Sequence, residues 1–138
     1  MSALAERSFA FVVFGPPQPK QRARRGKGGR HYTPAETRRY EQAVTQMSSL
    51  LRPREWSNDG SYRLTVAAYF ADYRARDIDN VIKSVSDALN GVLYEDDNQV
   101  TQVSGFKHVD PEFPRTEIEV TWIGERAARK RKTGRVSL

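Results

Sequence analysis

Apolar and polar positions change their period several times along the chain, and each change marks an element. Ser8 to Phe14 is rich in Phe and Val and stops at Gly15-Pro16-Pro17, which predicts a strand buried on both faces. Thr33-Pro34-Ala35-Glu36 combines a capping box with proline at the first helical position. A helix follows to about Leu51, with Tyr40, Val44, Met47, Leu50 and Leu51 at core spacing and Pro53 just beyond. Tyr62, Leu64, Val66, Ala68 and Phe70 then alternate, the pattern of a half-buried strand.

Ile78, Val81, Ile82, Val85, Ala88, Leu89 and Val92 return to helical spacing. Asp79 or Asn80 supplies an N-cap and Gly91 a stop. Asn98 to His108 reads as a strand of imperfect alternation, with Gly105 marking a bulge. Pro111 to Pro114 is a turn, and Ile118, Val120 and Trp122 alternate with Glu117, Glu119 and Thr121 in a last strand. The order is strand, helix, strand, helix, strand, strand, without internal repeats. It predicts one α+β domain with a mixed β-sheet and two main helices.

Charge changes the picture at two places. Gly15 to Thr33 holds six Lys/Arg and no acid, and Gly124 to Leu138 holds six Lys/Arg and one Glu. The rest of the chain carries 11 basic against 16 acidic residues, so a net charge of +6 conceals two basic arms on an acidic body. That layout suits a protein that grips a polyanion and presents carboxylates to it. Gly15 to Arg30 has almost no apolar anchor and is expected to be a mobile loop. Its Lys20, Arg22, Arg24, Arg25, Lys27 and Arg30 can meet successive phosphates, contacts that position DNA without reading its sequence. The boundaries expected are a folded domain over 1–124 and a basic, disordered tail over 125–138.

The chain has 138 residues and no cysteine, which excludes a disulfide framework and a Cys-based zinc site. His31 and His108 are too few and too far apart for a His-based one. No apolar run approaches the ~20 residues of a membrane span, and the N-terminus lacks a secretory pattern. A cytoplasmic setting is expected.

The chemistry concentrates around the second helix. Asp79, Lys83, Ser86, Asp87 and Asn90 share its polar face, and Asp77 lies just before it, on the same side as Asp79 in an extended approach. Two carboxylates this close repel when ionised. A helix N-terminus and nearby Arg76 and Lys83 offset this modestly. A hard cation does so better, because Mg²⁺ takes carboxylate oxygens and keeps waters for a substrate phosphate. An isolated D-x-D-N is most often an N-cap beside a solvated turn, but here Asp96-Asp97 follow as soon as the helix stops. An EF-hand is excluded: its loop needs glycine at the sixth position, and counting from Asp77 gives Ile82.

These residues together resemble the RusA family of Holliday junction resolvases. The matching pattern is Asp77-Ile-Asp79-Asn80, Lys83, Asp87-Ala-Leu, then Asp96-Asp97-Asn-Gln99-Val100. Upstream, Gly15-Pro-Pro-Gln-Pro-Lys20-Gln-Arg22-Ala-Arg24 precedes His31-Tyr32-Thr33-Pro34, like the Lys/Arg loop and Y-T-P step of phage and prophage members. The likeness runs from about Phe11 to Val103. One departure is Ala23, where the family's K-x-R-P-R step has proline.

The resemblance implies a metal-dependent endonuclease that cuts four-way DNA junctions as a homodimer. It implies that Asp77, Asp79 and Asp97 carry Mg²⁺, with Mn²⁺ as a substitute, and that Asp96 either shares ligation or supports it. Lys83 then stabilises charge developing on the phosphate, with Asp87 as its i,i+4 partner. Arg74 and Arg76 join the arms as DNA contacts. Two rival readings remain: a non-catalytic nucleic-acid-binding module, and a metal-dependent nuclease on other branched DNA or on RNA. The carboxylates argue against the first, since they repel phosphate unless cations intervene.

Overall fold

A computed structural model describes residues 7–20, 24–25, 31–32 and 34–126. Their elements are β1 (Ser8–Phe14), β2 (Arg24–Arg25), β3 (His31–Tyr32), α1 (Ala35–Leu51), β4 (Ser61–Phe70), α2 (Ile78–Leu89), β5 (Val100–Val109) and β6 (Arg115–Gly124). Four strands form one sheet in the order β1-β6-β4-β5. β4 and β5 run parallel, joined through α2, while β6 is antiparallel to both β1 and β4. The expected single α+β domain with a mixed sheet and two helices is what forms. No helix among the described residues is long and apolar enough to cross a membrane.

The helices cover one face of the sheet. Tyr62, Leu64, Val66, Ala68 and Phe70 point into the core, as their alternation predicts, and meet Tyr40 and Val44 of α1 and Val81, Val85 and Leu89 of α2. β1 departs from expectation. It is an outer strand with Phe9, Phe11 and Val13 buried but Ala10 and Phe14 exposed, so only one of its faces is covered. In α1, Tyr40 and Val44 are buried and Met47 packs against them, whereas Leu50 and Leu51 are exposed. The buried stripe instead includes Thr37 and Ser48, and Ser48 Oγ donates to Thr45 O at 3.0 Å. The N-cap of α1 is Pro34, with no side-chain cap bond, one residue later than the capping box predicts; Thr33 lies outside the described residues.

Gly15 to Lys20 is not a free loop. Pro17 is buried, Gly15 N donates to Pro114 O (2.9 Å) and Lys20 N donates to Asn80 O (2.7 Å). Further along, Arg24–Arg25 and His31–Tyr32 pair antiparallel. The tail beyond Arg126 lies outside the described residues.

Gly105 makes no bulge. The register shift between β4 and β5 falls at Tyr62/Arg63, and Gly105 pairs regularly with Val66. Its missing side chain serves another purpose: a Cβ there would meet Ile82 Cδ1 at 2.7 Å and Ile78 Cγ1 at 3.0 Å. Glycine therefore lets α2 lie close on the sheet.

Candidate active site

The approach to α2 is built before the helix begins. After Phe70 the chain bends, and Asp72 Oδ1 accepts from Arg74 N at 2.9 Å and from the Arg76 guanidinium at 2.8 Å. Arg76 also stacks over the Phe70 ring, 4.7 Å from its centroid. Lys107 Nζ, from β5, donates to Arg76 O at 2.8 Å. Arg76 is thus committed to shaping this bend, while Arg74 projects with 77% of its side chain exposed.

Asp77, not Asp79 or Asn80, is the N-cap. Its backbone is extended (φ −98°, ψ 115°) and its Oδ1 accepts from Asp79 N at 3.0 Å. Asp77 and Asp79 are both exposed at the first turn, where unpaired backbone N–H groups favour negative charge. One turn on, Lys83 is 57% exposed and its Nζ lies 3.5 Å from Asp87 Oδ1, the expected i,i+4 pair. Gly91, with φ of 80°, ends the helix as its sequence position predicts.

The second acidic pair is held by a residue whose role the pattern alone does not reveal. Gln99 is 2% exposed. Its Oε1 accepts from Glu95 N and Asp96 N, both at 2.9 Å, and its Nε2 donates to Asn58 O (2.9 Å) and Gly60 O (3.0 Å). That one amide pins the turn carrying Asp96 and Asp97 to the start of β4. Tyr94, fully buried, adds a bond from its hydroxyl to Ser86 O at 2.8 Å. Burial holds the Asp97 carboxyl above its usual range; the charges of Asp96 and Asp87 add to this and that of Lys83 opposes it. Asp97 therefore shares a field with Lys83 and Asp87 on α2.

The carboxylate oxygens suit a hard divalent cation, but one chain does not gather them. Among the described residues, no three Asp, Glu, His or Cys side chains lie close enough together to hold one ion. Asp77 and Asp79 stand at the start of α2, whereas Asp97 follows its far end. Lys83, one turn on from Asp79, also contributes to the field at Asp97.

Among the predicted DNA contacts, Lys20 is engaged by Glu41 and Asp87, with Nζ–oxygen distances of 2.5 and 3.3 Å. Arg24 and Arg25 lie in β2. Arg22, Lys27 and Arg30 fall outside the described residues.

A parallel β4-α2-β5 unit carries paired acids at one helix end and a lysine on the next turn, with the segment ending in Lys20 docked alongside, in a single α+β domain. The sequence profile of endodeoxyribonuclease RusA matches residues 14–121, and the chain belongs to that family. Membership makes it a hydrolytic nuclease whose substrates are DNA junctions. No curated protein matches the chain.

Proposed function

We propose that the protein is a Mg²⁺-dependent resolvase that nicks four-way DNA junctions in symmetric pairs during recombination and repair, in the cytoplasm of a bacterial or phage-infected cell. The observation that carries this reading is the exposed Asp77-Asp79 pair at the N-terminus of α2, with Lys83 one turn along the same face. Mg²⁺, for which Mn²⁺ substitutes, would supply Lewis-acid polarisation of the phosphate. Asp77, Asp79 and Asp97 would hold it, with Asp96 beside them. The chain's own contribution is electrostatic and positional. Lys83 directs a positive charge to the same exposed face, where charge develops on the phosphate. The bend built by Asp72, Arg76 and Lys107 fixes Asp77. Arg74 and the arginines of the basic segment grip the backbone.

The protein acts, in this reading, as a homodimer. A two-fold protein offers two equivalent sites to the two equivalent strands of a junction. β5 is an outer strand exposed over most of its length, with Val103 and Phe106 about half exposed (52% and 50%). Such an edge is a template for another strand. Antiparallel pairing of two β5 edges would turn the Asp97 end of one toward the Asp77 end of the other, so that acids of both chains could face one phosphate.

The test is incubation with a synthetic four-way junction and a matched duplex, with and without Mg²⁺, alongside light scattering for mass. Symmetric nicks in the junction alone, from a particle of twice the chain mass, support the reading. Binding without cleavage in Mg²⁺ or Mn²⁺ would favour a binding module, and cleavage of other branched DNA or RNA would move the substrate class.

A further inference from the structure

Lys20 begins the run of basic residues, and by charge alone it belongs with the arginines that follow. Its surroundings set it apart. Its backbone N–H donates to Asn80 O, and Ser84 Oγ lies 3.0 Å from Gln18 O as donor, so this segment is docked on the first turns of α2. Its Nζ reaches Glu41 Oε2 on α1 at 2.5 Å and Asp87 Oδ2 on α2 at 3.3 Å. Only 27% of its side chain is exposed, against 57% for Lys83. Burial pulls its proton affinity down, but the Glu41 and then the Asp87 carboxylates outweigh this and hold it above the usual lysine value. Offering that charge to a phosphate would strip half-buried Glu41 of its cation and leave half-buried Asp87 with Lys83 alone among the described residues.

Asp87 divides its oxygens between two lysines, Oδ2 toward Lys20 and Oδ1 toward Lys83. At 3.3 and 3.5 Å both contacts are longer than the ~2.7–2.9 Å of a strong charge-assisted bond. Without Lys20, among the described residues Asp87 would have only Lys83 as a cation partner, and Glu41 would have none beside it. Lys83 would be drawn down toward those acids and away from the turn that carries Asp79.

We infer that Lys20 is a positioning residue: by occupying Glu41 and Asp87 it keeps Lys83 free to face the scissile phosphate. The catalytic consequence rests on the nuclease reading above; the geometry does not.

The test uses the full chain with Lys20→Met, Asp87→Asn, the double variant and Lys20→Arg. Three quantities are read: single-turnover cleavage of the junction, the salt dependence of junction binding, and the rate at which Lys83 is acylated in the free protein, followed by mass spectrometry. Lys20→Met is expected to slow cleavage about tenfold, by weakening a transition-state contact. It should slow Lys83 acylation and leave the log–log salt slope unchanged. In the Asp87→Asn background most of that loss in rate should disappear, and Lys20→Arg should stay near wild type because both ion pairs survive.

A salt slope shallower by ~0.9 with an unchanged rate at saturation would make Lys20 an ordinary phosphate contact and overturn the inference. So would an equal rate loss with and without the Asp87→Asn substitution, or unaltered Lys83 acylation. If Lys20→Met does not fold, Lys20→Gln removes the charge while leaving a polar amide in its place, and the same comparisons apply. If the wild-type chain cuts no junction, the nuclease reading fails, while Lys83 acylation still judges whether Lys20 governs Lys83.

Discussion

Gly105 lies directly beneath Ile82, so close that a Cβ on the glycine would sit 2.7 Å from Ile82 Cδ1. This close approach sets the height of α2 above the sheet, and α2 carries Asp79 and Lys83. Gly105→Val should cost about 1–3 kcal/mol by overpacking. It should also slow cleavage, because the acids move with the helix. Ile82→Val, which removes the colliding methyl, should recover part of the stability in combination. Urea unfolding of the two single variants and the double measures this; strictly additive losses would mean that the two residues do not press on each other.

Asp77 has a structural task and a proposed chemical one, and two substitutions separate them. Asp77→Asn retains an oxygen to accept from Asp79 N, so stability should change little. Asp77→Ala loses the cap and should cost about 1 kcal/mol. Both should abolish Mg²⁺-dependent cleavage, and Asp79→Asn should do the same while junction binding survives. Urea unfolding beside single-turnover cleavage gives the answer. A folded Asp79→Asn that cuts at the wild-type rate would remove Asp79 from the site.

The bend before Asp77 should leave a mark on acid stability. The hydrogen bond from Arg76, and then that from Arg74 N, holds the Asp72 carboxyl below the ordinary aspartate value of 3.8. A group with a lowered folded value contributes stability above its unfolded value and loses it as pH falls through the folded one. Asp72→Asn should therefore unfold at lower urea than wild type at pH 6, with the gap closing below the ordinary aspartate range. The gap is small because Asp72 faces solvent. Curves that stay parallel down to acid pH would show that the pair does not stabilise the fold.

Local patterns reveal most of the fold. The alternation of Tyr62, Leu64, Val66, Ala68 and Phe70 is enough to identify β4, and the apolar period with Gly91 bounds α2. What they do not reveal depends on partners distant in sequence. Leu50 has core spacing on α1, yet no described element covers that side of the helix, and it stays 78% exposed. Gly105 looks like a bulge until α2 is seen above it. Lys20 has the composition of a DNA contact, and only folding brings it to Glu41 and Asp87. The same limit governs the acids: D-x-D-N and D-D-x-Q-V are legible as motifs, but among the described residues no three of their carboxylates come together to hold one ion.

The remaining basic residues give the last prediction, now distinct from Lys20. Arg22, Arg24 and Arg25 follow the docked segment, and the hydrophobic core is built from other residues. Replacing all three with Gln should leave the fold intact, weaken junction binding and make its salt dependence shallower. Each phosphate left unneutralised takes ~0.9 from the log–log slope, so the triple variant should lose roughly 2–3. Cleavage at saturating protein should fall less than affinity, because the acids and Lys83 stay in place. The tail needs a parallel truncation, made after Arg126. Ser61 Oγ donates to Glu125 O (3.2 Å) and Arg126 pairs with Glu95 (3.0 Å), so a cut after Gly124 would disturb the end of β6 as well as remove charge. Fluorescence anisotropy on a labelled junction across a salt series distinguishes the outcomes. An unchanged slope in the arginine variant with a shallower one after truncation would transfer the grip from Arg22, Arg24 and Arg25 to the chain beyond β6.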